Sequence, residues 1–133
     1  MSEQKYHKSF GGPTTLPGGA SLPFSPAVAA GEFVFLSGQL ALNAEGRAEG
    51  DVASQSQQIF RQMQQLLEQQ ALSLANVVKV NAWLTDKAGF SAFNKSFRAA
   101  FPNNPPARST VISELLVAGA LIEIEAVAWS GAS

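Results

Sequence analysis

The spacing of apolar positions is the clearest order in this chain. Glu32 to Gln39 (EFVFLSGQ) alternates with period two, which predicts a strand with Val34, Leu36 and Gly38 on one face and Phe33, Phe35, Ser37 and Gln39 on the other. Asn43, Glu45 and Gly46 then turn the chain. Asp51 predicts a helix N-cap, and Val52, Ile59, Met63, Leu66 and Leu67 mark one buried stripe of a helix running to about Ala71. Val77 to Leu84 (VVKVNAWL) predicts a second strand, with Val78, Val80, Ala82 and Leu84 opposed to Val77, Lys79, Asn81 and Trp83. Asp86 opens a second helix, whose Phe90, Phe93, Phe97 and Phe101 fall at helical spacings and read as helix-to-sheet core. Asn103-Asn104-Pro105-Pro106 stops it, because a proline disfavours helical geometry in the residue before it. A strand is predicted from Ala107 to about Ser113. After a turn near Gly119, Leu121 to Trp129 alternates Ile122, Ile124, Ala126 and Ala128 with Leu121, Glu123, Glu125, Val127 and Trp129.

The order is strand, helix, strand, helix, strand, strand, with room for one or two strands before it. Two helices can cover one face of a four- to six-stranded mixed sheet, giving an α+β fold. Three strands offer that layer a wholly apolar face. Their other faces mix Phe35, Trp83, Val127 and Trp129 with Lys79, Asn81, Glu123 and Glu125. Such a face suits a subunit interface with a polar site at its margin; the alternative is an exposed sheet face with scattered aromatics. The chain reads as one domain over residues 1–133, with residues 1–20 an irregular arm rich in Gly and Pro. A phosphate-binding loop would need a preceding strand, a following helix and a Lys-Ser/Thr pair, which the arm lacks. The eight glutamines between Gln55 and Gln70 read as a neutral solvated helix face rather than a low-complexity interaction tract.

Composition narrows the chemistry. Charged residues make up 14%, against a typical ~25%, which suggests surface covered by a partner chain. The net charge of −1 gives no strong footprint for nucleic acid or anionic membrane. With no cysteine and a single histidine, His7, thiolate metal sites, a Cys nucleophile and a Ser–His–Asp triad are excluded. No apolar run approaches the ~18–20 residues of a membrane span, and Met1 to Lys5 lacks the apolar core of a secretory signal. The expectation is a soluble cytoplasmic protein without metal.

Three places could carry chemistry. Arg108 is the sole cation from Ala99 to Ser133 and follows two stiffening prolines. Its planar fork could grip a substrate carboxylate, or could pair structurally with Glu114, Glu123 or Glu125. Glu123 and Glu125 share a strand face with Cα atoms ~6.8 Å apart. They could act as general acid and base, burial raising one pKa, or could simply be solvated or ion-paired. Ser37-Gly38-Gln39 would admit a ligand close to the backbone at Gly38, or mark a strand bulge. Ser37 has no histidine to activate it as a nucleophile.

In this order the pieces resemble the Rid/YjgF family of reactive-intermediate deaminases, some of which are called L-PSP endoribonucleases. The matching segments are Leu22 to Val28, Phe35-Leu36-Ser37-Gly38-Gln39, Asn76 to Val80 leading to Leu84-Thr85-Asp86, Phe93-Asn94, Pro105-Pro106-Ala107-Arg108-Ser109-Thr110 and Ile122-Glu123-Ile124-Glu125-Ala126. The resemblance implies a chorismate-mutase-like fold and a homotrimeric barrel with sites in the clefts between subunits. It implies hydrolysis of 2-imino acids, such as 2-iminobutanoate and 2-iminopropanoate, to 2-oxo acids and ammonia without a cofactor. It also implies roles. Arg108 would hold the substrate carboxylate and Glu123 would activate water, while Phe24, Ser37, Gly38, Asn94 and Thr110 would line the cleft. Phe24 stands where the best-known deaminases carry Tyr, and Thr110 where Cys is frequent. Endoribonuclease-like activity and a non-catalytic 2-oxo-acid-binding regulator are the alternatives.

Overall fold

The structure, a computed structural model, describes residues 8–15 and 19–131. Part of the N-terminal arm, His7 included, lies outside the described residues. Six strands, β1 (Lys8–Phe10), β2 (Ala27–Ala30), β3 (Phe33–Gln39), β4 (Val77–Leu84), β5 (Ala107–Ile112) and β6 (Ile122–Trp129), form one sheet in the order β1-β2-β3-β6-β4-β5. Helices α1 (Val52–Glu68) and α2 (Phe90–Ala100) pack together on one face. β4 and β5 run parallel, and α2 is the crossover between them. β3 and β4 are both antiparallel to β6, so α1 joins two like-directed strands with β6 inserted between them.

The alternation explains the layers. Val34, Leu36, Val80, Ala82, Leu84, Ile122, Ile124, Ala126 and Ala128 are buried beneath Ile59, Met63 and Leu67 of α1 and Phe93 and Phe97 of α2. Each such Val, Leu, Ile, Met or Phe side chain contributes roughly 1.5–3 kcal/mol of burial, and each alanine less. Phe60 meets the rings of Phe97 and Phe101 edge-on, at 6.2 and 5.5 Å between centroids, and locks the two helices together. The helix starts follow from their caps. Ser54 N–H donates to Asp51 Oδ1, while Asp86 caps a short 3-10 turn, Lys87–Gly89, after which α2 begins at Phe90.

Several expectations need correction. The arm is not wholly irregular, since Lys8–Phe10 pairs with Ala27–Ala30 as an edge strand. α1 ends at Glu68 rather than near Ala71. Leu72 N–H reaches Leu67 O and Ala71 N–H reaches Glu68 O, with Ala71 at φ +59°, which turns the chain out of the helix. β4 is irregular between Val77 and Lys79, so Val77 rather than Val78 joins the core and Val78 is exposed. Phe90, read as core, is 44% exposed. The glutamine face is not uniformly solvated either. Gln55 is 1% exposed; its amide N–H groups donate to Glu49 O, Gly50 O and Gly119 O, and its Oε1 accepts from Leu121 N–H. This one side chain ties the start of α1 to the turn that leads into β6.

Candidate functional site

The end of β3 is bulged. Leu36 pairs with Ala126 and Gln39 with Ile124, so three steps along β3 match two along β6. The extra residue reverses the side-chain parity expected from strict alternation. Gln39 consequently lies on the helix side, where its amide Oε1 accepts from Gln62 of α1 at 3.1 Å. Gly38 turns the other way, and a Cβ there would fall on the Glu123 carboxylate. Only glycine permits this approach. Ser37 is committed to structure, its hydroxyl donating to Ser25 O at 2.6 Å and its N–H to Pro26 O at 2.9 Å. Those bonds draw the 24–26 segment against β3. Phe24, half exposed, joins Leu22, Pro26, Ser37, Gly38 and Leu66 around a pocket of about 460 Å³.

Glu123 sits opposite Trp83 of β4 on the open face of the sheet. Burial pushes its carboxyl above the usual carboxylate range, and the neighbouring Glu125 adds to the shift. Glu125 is itself held by Asn81 Nδ2, which donates to its Oε2 at 3.0 Å. Glu123 is half-buried, and no cation bears on it among the described residues.

Arg108 lies in register with Val80, a core residue, so its side chain rises on the helix face. The guanidinium carbon stands 4.7 Å from the Phe97 ring centroid, 4.9 Å from that of Phe93 and 5.6 Å from that of Phe90. Burial lowers its pKa, and Arg98 lowers it further. No carboxylate bears on it among the described residues, so the expected alternative of a pair with Glu114, Glu123 or Glu125 is absent here. Thr110 lies two residues along the same strand face, its Oγ1 buried without a hydrogen-bond partner. Asn94, half buried on α2, is one turn beyond Phe90.

The anticipated residues thus fall into two groups. Phe24, Ser37, Gly38 and Glu123 gather at the β3 bulge. Arg108 and Thr110 share the helix face of β5, and Asn94 belongs to the covering helix. One chain does not bring the groups together. Sequence reasoning missed the Gln39–Gln62 contact and the aromatic bed beneath Arg108. The phenylalanine spacing signalled a core stripe, but not that its rings also carry a cation. Among the described residues no cluster of three acidic, histidine or cysteine side chains could hold a metal, and no helix is long and apolar enough to cross a membrane.

Residues 17–130 match the family described as Endoribonuclease L-PSP. The chain belongs to this family, the Rid/YjgF proteins. This Rid chain is 34% identical over 109 residues to a RutC family protein of Pyrococcus horikoshii, covering 80% of this chain and 86% of that one. It is 34% identical over 115 residues to human 2-iminobutanoate/2-iminopropanoate deaminase, covering 85% and 84% respectively. Among solved structures, yeast Mmf1 superposes with a TM-score of 0.81 at 28% identity, covering 94% of this chain and 99% of that one. RidA from an Antarctic Psychrobacter superposes with a TM-score of 0.76 at 32% identity, covering 87% and 94%. The relatives carry different activity names, so membership fixes the family and fold but not the substrate.

Proposed function

We propose that this Rid protein hydrolyses small 2-imino acids to 2-oxo acids and ammonia, in clefts that pair the Arg108 group of one subunit with the Glu123 group of the next in a homotrimer. The observation that carries this reading is a cation bedded on phenylalanine rings with no carboxylate beside it, and a half-buried carboxylate with no cation beside it, on opposite faces of one sheet. A desolvated charge lacking a partner is costly, and an anionic substrate with a protonated imine answers both. The human relative's name supports the same chemistry.

In this mechanism Arg108 grips the substrate carboxylate, and its aromatic bed fixes the direction of the fork. Thr110 and Asn94 supply further hydrogen bonds. Ionised Glu123 takes a proton from water as its oxygen adds to the imine carbon, forming a carbinolamine. Glu123 returns the proton to nitrogen and then takes the hydroxyl proton as the C–N bond breaks and the carbonyl forms; the departing ammonia carries that proton away as ammonium, leaving Glu123 ionised. Proton transfer of this kind contributes ~10²–10⁴-fold, and no cofactor is required. The pocket beside Gly38 receives the substrate side chain, and its about 460 Å³ leaves room beyond an ethyl group. The endoribonuclease reading gains nothing from the charge of −1, since RNA binding relies on a basic surface.

The test generates 2-iminopropanoate, 2-iminobutanoate and imines with longer apolar side chains in situ, using a dehydratase or an amino-acid oxidase. Accelerated ammonia release, persisting or rising with side-chain length, is the expected result. Release no faster than the uncatalysed rate across the series overturns the reading.

A further inference from the structure

The bulge that brings Gly38 to Glu123 is held from outside the sheet. Gln39 Nε2 donates to Ser37 O at 3.0 Å across the bulge itself. Gln39 Oε1 accepts from Gln62 Nε2 at 3.1 Å, and Gln62 Nε2 also reaches Leu40 O at 3.2 Å. Gln62 Oε1 accepts from Gln58 Nε2 at 2.9 Å, and Gln58 Nε2 donates to Leu42 O at 3.0 Å. Three amides therefore run from α1 into the 37–42 backbone, their donors and acceptors matched head to tail. A shorter, charged or apolar residue at Gln39 or Gln62 would break the relay at its centre.

We infer that Gln62, acting through Gln39, is a positioning residue that clamps the Ser37–Gly38 bulge against the Glu123 carboxylate. The inference rests on the role given to Glu123 above, but the clamp itself is a matter of geometry. A bulge is a local distortion with one unpaired residue, and it keeps its shape only where neighbours determine it. If the clamp opens, Gly38 withdraws and water reaches Glu123. Glu125 on β6 is the charged group that bears on Glu123 among the described residues. Trp83 faces it from β4, the bulge residues of β3 carry no titratable side chain, and Lys79 of β4 is turned to Ser109 Oγ. Exposure of the carboxylate therefore leads to a more ordinary titration.

The experiment follows the Glu123 carboxyl by carbon-13 NMR in wild type, Gln62→Leu, Gln39→Met and the double variant, alongside the pH dependence of imine hydrolysis. A downward shift of the Glu123 midpoint on the order of one pH unit is expected in each single variant. The double variant should show no larger shift than either single, because both cut one relay. The acid limb of the rate profile should move with the midpoint, and kcat should fall more than KM rises. Should Gln62→Leu fail to fold, Gln39→Met severs the same chain from the strand. An unmoved Glu123 midpoint in a folded variant, or additive shifts in the double variant, overturns the clamp. Absence of imine turnover in the wild type counts against the proposed function alone, because the NMR midpoints still decide the clamp.

Discussion

Arg108 and Glu123 project from opposite faces of the same sheet. Arg108 is in register with Val80, above which α2 packs, and Glu123 with Trp83, on the open side. β4 lies between the two strands that carry them. One chain does not bring the two groups together, which is why the proposed site draws Arg108 and Glu123 from two copies of the chain.

Arg108→Gln is expected to lower kcat/KM for imine hydrolysis by about two orders of magnitude, the worth of a charge-assisted bidentate contact. The melting temperature should fall by no more than a few degrees, because the cation has no carboxylate partner within the chain and loses only its contacts with the Phe90, Phe93 and Phe97 rings. Steady-state kinetics and thermal melting check both halves. A folded variant with undiminished activity would remove Arg108 from the mechanism.

Glu123→Gln links activity to pH. The Glu123 carboxyl is held above its ordinary range, so its ionised form is less favourable in the folded chain than in the unfolded one. That penalty is present at neutral pH and vanishes once the pH falls below the ordinary midpoint of about 4.3, where both states are protonated. The variant should therefore melt higher than wild type at neutral pH, the gain shrinking to nothing in acid. Hydrolysis should fall by ~10²–10⁴-fold, and the wild-type rate should climb with pH through the raised midpoint. Melting curves across pH check the sign; a gain independent of pH would contradict it.

Gln55→Leu should cost about 1–3 kcal/mol, because half-buried Leu121 N–H and the carbonyls of Glu49, Gly50 and Gly119 lose their partner. Exposed Gln57→Leu on the same helix should stay within about 0.5 kcal/mol of wild type. Urea denaturation distinguishes them.

These two glutamines show where the sequence stops being informative. Both lie in one polar-looking stretch, and nothing local tells which amide turns inward to meet the loop backbone. The elements themselves were legible: periods of two and near 3.6 located β3, β4, β6 and both helices to within a few residues, with Asp51 marking the start of α1. Bulges were not, because one extra residue inverts every later position of a strand. Gln39 and Val77 consequently appear on the wrong side in a strict alternation. β1 was hidden by its shortness and by the glycines and proline that follow it. Arg108 and Glu123 could be singled out as chemistry-bearing groups, yet their separation across the sheet depends on the register of three strands.

Ala71→Gly is expected to stabilise the chain by about 1 kcal/mol. Ala71 adopts φ +59° at the end of α1, where a Cβ is strained and glycine is not. Equal or lower stability in equilibrium unfolding would mean that the gain in unfolded-state entropy outweighs the relieved strain.

Subunit mixing tests the shared cleft most directly. Arg108→Ala and Glu123→Gln proteins, each inactive alone, are unfolded together in equal amounts and reassembled. Random assembly into a ring places an intact Arg108 against an intact Glu123 at about a quarter of the interfaces. Imine hydrolysis should then return to about a quarter of the wild-type rate. Mixed oligomers, verified by native mass spectrometry, that remain as inactive as their parents would contradict a site formed between two copies.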